Sequence, residues 1–159
     1  GSRNRINLVN NIGTKNIIKI AKKNKIKNLI YISSGAVYES TKEEKKLNEL
    51  NVKINKKSND YYSLSKKQGE DDFIKLFQKN NNLNLSILRL FSFIGPGTST
   101  LKYLAYTAAI NSRYKNKTIK LLSNGLSTRS YMHPIDLACW IIKSLFYIFK
   151  NPLIYFLLF

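Results

Sequence analysis

The chain has 159 residues, which suits one domain with a single core, and its hydrophobic content of 43% is that of a globular rather than a disordered protein. One cysteine and one histidine exclude an internal disulfide framework and leave little for a transition-metal site. The net charge of +18 admits a nucleic-acid or membrane-surface partner, but only five of the 27 basic residues are arginines and the lysines are scattered, so we prefer biased composition as its explanation.

Near the N-terminus, hydrophobic periodicity predicts a helix with one apolar face. Its small and apolar residues recur at three- and four-residue spacing: Val9, Ile12, Gly13, Ile17, Ile20 and Ala21. The run Asn28–Ser34 then predicts a strand covered on both faces, as in a parallel sheet. A helix followed by a strand at this spacing indicates a βαβ crossover and places the chain in the α/β class.

The middle of the chain predicts a loop, a helix and a second strand. Residues 40–60 are polar and lysine-rich, and Asp60 can cap a helix that runs from about Tyr61 to Lys79. We expect four of its residues to face inward: Leu64, Phe73, Ile74 and Phe77. A buried strand follows over 83–90, and then a glycine–proline loop at 95–97.

The last third predicts a helix near 101–109, short strands at 118–122 and 130–132, and a final helix over 135–149 with Pro134 as its first residue. Because this final helix is almost wholly apolar, we expect it to be buried, with Cys139 and Trp140 in the core. Charged residues interrupt the apolar C-terminal stretch, so we interpret it as a helix and a strand rather than a membrane span. His133 is interpreted as a packing or hydrogen-bonding residue.

Tyr62 and Lys66 are four residues apart on the middle helix, so they share one face. A neighbouring ammonium favours the ionised form of a phenol, which suits a tyrosine to general acid–base work. Ser34 ends the first predicted strand, and ligands of parallel sheets bind beyond the carboxyl ends of the strands. We therefore expect Ser34, Tyr62 and Lys66 to meet in one crevice.

Five sequence blocks in order resemble those of the extended short-chain dehydrogenase/reductases, in the NAD-dependent nucleotide-sugar epimerase/dehydratase family. The blocks are Asn10–Asn16 (N-x-x-G-T-x-N), Ser33–Tyr38 (S-S-x-x-V-Y), Tyr62–Lys66 (Y-x-x-x-K), Leu88–Gly97 (L-R-x-F-N-x-x-G-P-G) and Thr128–Ala138 (R-D-Y-[IV]-[YH]-V-x-D-L-A). The resemblance covers residues 10–140. It implies an incomplete Rossmann-like, doubly wound parallel sheet over 1–92 and, over 93–159, mainly part of a small C-terminal substrate domain.

The resemblance also implies a role for each matching residue. Ser34 corresponds to the catalytic hydroxyl on the sugar 4-oxygen, Tyr62 to the catalytic base, and Lys66 to the lysine on the nicotinamide ribose. Cofactor contacts are implied for Asn10, Ser33, Tyr62 and Lys66, and substrate contacts for Ser34, Gly35, Ser92 and Arg129. The arginine would grip the diphosphate, for which a guanidinium fork is suited. The implied cofactor is NAD or NADP, and the implied substrate is a nucleotide sugar.

Departures from the family pattern narrow the expected chemistry. Ser92 replaces a common asparagine, Glu39 a glycine, and Ser130 an aspartate. Gly35 and Ala36 stand where dehydratases of the family carry an Asp-Glu pair, which favours 4-epimerisation or 4-keto reduction over 4,6-dehydration. A glycine-rich loop for the cofactor pyrophosphate has no match, so we expect this chain to be weakly active or inactive alone.

Three hypotheses about function therefore remain open from sequence. The first is a nucleotide-sugar 4-epimerase or 4-keto reductase, the second is a truncated, inactive remnant of such an enzyme, and the third is a basic nucleic-acid-binding module. The single cysteine makes a reducing, cytoplasmic location the default. Relatives of this kind imply a homodimer formed through the helices near 9–25 and 61–79, and no membrane partner is expected.

Overall fold

The N-terminal helix is continuous but contains a π-helical segment. The computed structural model describes residues 2–38, 60–80, 82–95, 113, 118, 131–148 and 153–158. Helix α1 (Arg3–Ile6) runs into a π-helical segment (Asn7–Ile12) and then into α2 (Gly13–Lys23). The predicted helix is confirmed. Its π-helical turns are an irregularity that periodicity does not reveal, and such turns are frequent at functional sites.

The apolar face of this helix is turned away from the core. Thr14 and Ala21 are the buried residues of α2. The residues on the open face are between 44% and 60% exposed: Leu8, Val9, Ile12, Ile17 and Ile20. The helix therefore packs on the core through Ala21 and Ile18, while its other large apolar side chains form an uncovered strip among the described residues.

The first strand and the middle helix have the predicted bounds. Strand β1 (Asn28–Ser34) is followed by a short 3-10 turn (Gly35–Val37). Helix α3 (Tyr61–Gln78) begins after Asp60, whose carboxylate accepts a hydrogen bond from the Tyr62 N–H at 3.0 Å. This is the usual way in which an aspartate satisfies an orphan donor at a helix start. Both elements confirm the sequence prediction.

The main sheet is parallel, and its central strand β2 (Asn84–Leu90) lies between β1 and β5 (Leu153–Leu158). Strand β2 pairs with β1 in a register that runs from Asn28 opposite Asn84 to Ser34 opposite Leu90. Strand β5 pairs with the other edge of β2. Strands β3 (Ser92–Phe93) and β4 (Tyr131–Met132) form a separate parallel pair. The α/β fold with a parallel sheet is as predicted.

Helices cover both faces of this sheet. One face packs against α2 and α3 through a core cluster of Ala21, Tyr31, Phe73, Leu76, Leu83, Leu85 and Ile87. The other face packs against α4 (Pro134–Ile148) through Leu88 and Met132, with Leu137, Trp140 and Ile141 alongside. This double cover explains why β2 is buried on both faces from Leu85 to Arg89, as strands of parallel sheets commonly are.

The prediction that the final helix is buried was wrong. Helix α4 packs by one face only, and its other face is open: Ile135, Ile142, Leu145, Phe146 and Tyr147 are between 42% and 70% exposed. Cys139, expected in the core, is exposed as well. Trp140 does pack against the core, as predicted. Apolar content alone does not distinguish a helix covered on all sides from one covered on a single side.

Some predicted features lie outside the described residues. They are most of the loop at 40–60, the helix near 101–109, most of the strand at 118–122, and Arg129. Within the described residues, no helix has the length and apolar character that crossing a membrane requires.

Candidate active site

Ser34 ends β1 at the carboxyl edge of the sheet. It is half-buried, and its hydroxyl oxygen accepts a hydrogen bond from the Ala36 N–H at 3.2 Å, which starts the 3-10 turn. Gly35 is required next to it, because a Cβ at this position would lie 2.6 Å from the ring of Phe91. Since Ser34 uses its oxygen as an acceptor here, its own hydroxyl proton can still be donated outward.

Tyr62 and Lys66 lie on the first turns of α3, above the carboxyl half of β1. The Tyr31 hydroxyl donates to the main-chain oxygen of Lys66 at 3.3 Å, and the Lys66 Nζ donates to the main-chain oxygen of Ile32 at 3.0 Å. The ammonium therefore reaches a backbone atom only two residues before Ser34. Burial lowers the pKa of Lys66 from its usual value. Tyr62 is 40% exposed.

The close approach of α3 to β1 depends on Tyr31 and Gly69. The Tyr31 ring packs on Phe73 with ring centroids 4.8 Å apart, and its hydroxyl end lies against Gly69, where a Cβ would meet it. Burial, together with the nearby charge of Glu70, raises the pKa of Tyr31 to about 12. Tyr31 is therefore a neutral phenol that holds the helix to the strand.

A buried ion pair lies behind these residues. Glu70 is fully buried, and Arg89 from the centre of β2 is 2% exposed. The Arg89 Nε and Nη2 each donate to one carboxylate oxygen of Glu70 at 2.8 Å. Burial alone works against the charge on Arg89, but the hydrogen bonds and charge of Glu70, with the Tyr38 hydroxyl, hold the pKa of Arg89 above its ordinary value.

Two residues for which the resemblance implied cofactor contacts bond to other side chains. The Ser33 hydroxyl is buried and donates to Glu70 at 2.6 Å. The Asn10 side-chain amide, in the π-helical segment, donates to the Ser65 hydroxyl oxygen at 2.9 Å. Ser65 donates in turn to the main-chain oxygen of Tyr62 at 2.8 Å. A chain of hydrogen bonds thus joins Asn10 to the turn of α3 that carries Tyr62.

The residues expected at the substrate are placed only in part. Ser92 opens β3, two residues beyond the carboxyl end of β2, and is half-buried. Gly35 begins the turn after Ser34. Arg129, expected at the diphosphate, lies outside the described residues. The carboxyl ends of β1 and β2 and the start of α3 therefore bring together Ser34, Gly35, Ser92 and Lys66 at one end of the sheet.

Glu70 and Arg89 were not singled out from sequence, although the sequence carries a signal for each. Arg89 is the only charged residue in the buried strand region from Leu83 to Leu90. A charge within such a run needs a buried partner of opposite sign. Glu70 lies one turn after Lys66, on the helix face that also carries the buried Phe73. What the sequence does not give is which acidic residue the arginine meets.

His133 has a simple structural role. Its Nδ1 accepts a hydrogen bond from the Ile135 N–H at 3.3 Å, at the start of α4. This contact caps the helix in the manner of a short polar residue. The predicted hydrogen-bonding role of His133 is confirmed.

A separate polar cavity of about 430 Å³ lies between the N-terminal helix and α3. The guanidinium of Arg3 sits 3.9 Å over the ring of Tyr61 at its rim. The side-chain oxygen of Asn11 is buried there and has no hydrogen-bond partner among the described residues. Neither Ser34 nor Lys66 lines this cavity, so it is distinct from the crevice at the end of the sheet.

Comparison with known proteins identifies the family. The model of the NAD dependent epimerase/dehydratase family matches residues 2–147, and the chain belongs to this family. No curated protein sequence shows significant similarity to the chain.

Three solved structures of similar fold are nucleotide-sugar epimerases or dehydratases. UDP-glucose 4-epimerase from Bifidobacterium longum, in complex with NAD+ and UDP, matches 94% of this chain with a TM-score of 0.76 and 21% identity. dTDP-glucose 4,6-dehydratase from Bacillus anthracis, in complex with NAD, matches 94% of it with a TM-score of 0.76 and 21% identity. UDP-N-acetylglucosamine 4-epimerase from Methanobrevibacter ruminantium matches 96% of it with a TM-score of 0.74 and 20% identity.

These comparisons establish the Rossmann-like fold of the chain. The chain spans about half the length of the structures it matches. It covers 48% of the UDP-glucose 4-epimerase, 45% of the dTDP-glucose 4,6-dehydratase and 47% of the UDP-N-acetylglucosamine 4-epimerase.

Proposed function

We propose that the chain carries the catalytic part of a nucleotide-sugar enzyme that transfers a hydride at C4 of the sugar, as a 4-epimerase or a 4-keto reductase. The observation that carries this proposal is the docking of α3 over the carboxyl half of β1. Through it the Lys66 ammonium reaches the Ile32 oxygen at 3.0 Å, beside the strand end that carries Ser34. Serine, tyrosine and lysine at this end of a parallel sheet are where a bound substrate would meet them.

Each of the three residues has a task that its position supports. Tyr62, partly exposed on the first turn of α3, takes the proton from the sugar 4-hydroxyl as general base. Ser34 donates its hydroxyl proton to the same oxygen and orients it. Lys66 places its ammonium beside the strand end that carries Ser34, where it is available to the cofactor.

A nicotinamide dinucleotide fits the described residues at this crevice. The Lys66 ammonium is half-buried, its burial lowers its pKa, and it offers donors to the hydroxyls of a ribose. When bound, NAD or NADP supplies the hydride acceptor for the C4 hydrogen. Asn10 contributes through Ser65, whose bond to the Tyr62 carbonyl fixes the turn that faces the cofactor. Ser33 also contributes indirectly, because its hydroxyl donates to Glu70 on the helix that carries Tyr62 and Lys66.

The substrate we propose is a nucleoside diphosphate sugar. The similar structures include UDP-glucose and UDP-N-acetylglucosamine 4-epimerases, which favours a UDP-hexose. Gly35 and Ala36 follow Ser34 without an acidic side chain, which favours epimerisation or reduction over dehydration. Ser92 and Gly35 contact the sugar in this proposal, and Arg129 holds the diphosphate. Residues 1–92 supply the cofactor side and residues 93–159 mainly the substrate side.

The test is turnover of UDP-glucose by the purified chain with NAD, measured by chromatography of the sugar nucleotides and by absorbance of the reduced nicotinamide. Tyr62→Phe removes the base and lowers the rate by about 10²–10⁴-fold. Tyr61→Phe, next to it and equally exposed, is the matched control and keeps the wild-type rate. Equal rates for wild type and Tyr62→Phe would refute the assignment.

An inactive remnant is the alternative, and it has its own signature. Such a chain folds, with a cooperative unfolding transition, but neither turns over UDP-glucose nor binds NAD in a calorimetric titration. NAD affinity in the micromolar range would exclude the remnant, because it requires a working cofactor site.

We also propose a homodimer built on the N-terminal helix and α3, in a reducing, cytoplasmic setting. The uncovered strip of Leu8, Val9, Ile12, Ile17 and Ile20 supports this proposal, because an exposed apolar patch often marks a protein–protein interface. Ile12→Glu would place a charge in its centre and convert a dimer into a monomer in analytical ultracentrifugation. The matched control is Ile142→Glu on the open face of α4. Sedimentation of the wild type as a monomer at all concentrations would refute the dimer.

A further inference from the structure

The ion pair of Glu70 and Arg89 is an unusual feature of so small a core. Both side chains are buried, with exposures of 0% and 2%, and they meet through two hydrogen bonds of 2.8 Å. Taking two charges out of water is costly, and an apolar pair of the same volume often gives equal or greater stability. Stability alone therefore does not explain why charged residues occupy these positions.

Each member of the pair also holds one end of the segment that contains Ser34. The Glu70 carboxylate accepts a hydrogen bond from the Ser33 hydroxyl at 2.6 Å, immediately before Ser34. Arg89 Nη1 donates to the Tyr38 hydroxyl at 2.8 Å, just after the 3-10 turn. The Tyr38 ring also stacks on Phe91, with ring centroids 6.3 Å apart.

The same pair is anchored in the elements that carry the other site residues. Glu70 lies on α3, one turn beyond Lys66 and two turns beyond Tyr62. Arg89 lies in β2, whose residues pair with β1 along its full length. A shift of α3 along the sheet would therefore pull on Ser33 through the carboxylate, and on Tyr38 through the guanidinium.

We propose that Glu70 and Arg89 form a clamp that fixes the segment from Ser33 to Tyr38 against α3, and so sets the position of the Ser34 hydroxyl relative to Tyr62 and Lys66. They are positioning residues, because both are buried and act through Ser33 and Tyr38. The effect of this clamp on catalysis rests on the proposed function, whereas its effect on backbone motion does not. Four hydrogen bonds form the clamp. Two of them involve the hydroxyl groups of Ser33 and Tyr38, which can be removed one at a time.

The first test measures backbone motion in the chain without any ligand. Amide hydrogen exchange is followed at Ala36, whose N–H is bonded to the Ser34 hydroxyl, and at Tyr38, whose N–H is bonded to the Gly35 oxygen. Tyr38→Phe keeps the ring stack but loses the hydroxyl, so exchange at both amides accelerates about tenfold. Exchange in the centre of β2 remains as in the wild type.

Matched variants separate the clamp from general weakening. Ser33→Ala loosens the same two amides, and Ser33→Thr, which restores a hydroxyl, returns them to the wild-type rate. Asp72→Asn removes one charge from the same helix at an exposed contact with Gln68, and leaves both amides unchanged. Unchanged exchange in both Tyr38→Phe and Ser33→Ala would overturn the clamp. Glu70→Gln is a harsher variant, because it leaves the buried arginine without its charge partner.

The second test concerns catalysis by the same variants. With UDP-glucose and NAD, Tyr38→Phe and Ser33→Ala lower kcat by about ten- to a hundredfold while KM stays near that of the wild type, because a misplaced hydroxyl affects the reacting geometry more than binding. Ser33→Thr recovers kcat. A wild-type chain with neither turnover nor NAD binding would favour the inactive remnant over the proposed function, and the exchange data would still decide on the clamp. Turnover that is unaffected in both variants would refute the positioning role.

Discussion

Gly69→Ala provides the sharpest test of how α3 is seated on the sheet. In an ordinary helix interior this change is stabilising by about 1 kcal/mol, because glycine is a poor helix former. Here the added methyl would lie 2.7 Å from the Cζ atom of Tyr31 and still closer to its hydroxyl oxygen. The ring cannot retreat easily, because Phe73 lies against it at a centroid distance of 4.8 Å.

The expected magnitude follows from these contacts. Forcing an extra methyl into a packed contact costs about 1–3 kcal/mol, and displacing the Tyr31 hydroxyl from the Lys66 oxygen costs about 1–3 kcal/mol more where the hydroxyl finds no new partner. Against a gain of about 1 kcal/mol in helix propensity, the free energy of unfolding falls by about 1–5 kcal/mol.

Urea unfolding followed by circular dichroism measures this change, and Gly13→Ala is its matched control. A Cβ at Gly13 meets only the Leu8 oxygen, at an ordinary 3.7 Å, so this helical variant gains up to about 1 kcal/mol. Adding Tyr31→Phe to Gly69→Ala removes the closest atom and recovers part of the loss, with a coupling of at least about 0.5 kcal/mol. If Gly69→Ala proved as stable as Gly13→Ala, the close approach of α3 to β1 would be refuted.

Two further predictions concern charge. Because the pKa of Tyr31 is raised to about 12, the neutral phenol favours the folded state, and this contribution to stability is complete below pH 10 and lost as the pH rises through 12. Urea unfolding at pH 9 and at pH 12 measures the effect. Between these two pH values, the free energy of unfolding should fall more for the wild type than for Tyr31→Phe, by up to about 2–3 kcal/mol. Because burial lowers the pKa of Lys66, its charge opposes folding below that lowered pKa and stops doing so once the pH exceeds the usual value. Lys66→Met should therefore raise the free energy of unfolding at pH 7 while abolishing turnover of UDP-glucose, and a fall in stability would contradict the desolvation argument.

Local pattern was enough to predict the elements that carry the site. The bounds of β1 follow from an unbroken apolar run, and the start of α3 follows from the capping residue Asp60. Both signals are local in the sequence, so they can be recognised without knowledge of the tertiary structure. The meeting of Lys66 with the end of β1 was predicted from a general property of parallel sheets, and the structure places the ammonium beside that strand end.

Features that depend on two distant segments were not predictable in the same way. The contact between Glu70 and Arg89 joins residues 19 positions apart and depends on how α3 lies across the sheet. The exposure of Phe146 and Cys139 depends on whether a further layer covers α4, which a count of apolar residues does not contain. The bond of Ser33 to Glu70 has the same origin, because alternation along a strand says which face a residue takes but not what it meets there.

The open apolar face of α4 affects how the protein behaves at high concentration. Its exposed residues, among them Ile135, Ile142 and Phe146, form a surface against which the same surface of another molecule can pack. Mutual repulsion between molecules that each carry +18 opposes such encounters in dilute buffer. Salt limits that repulsion to a range of about 8 Å at physiological ionic strength. We therefore expect solutions of this chain to become turbid when salt is added at constant protein concentration.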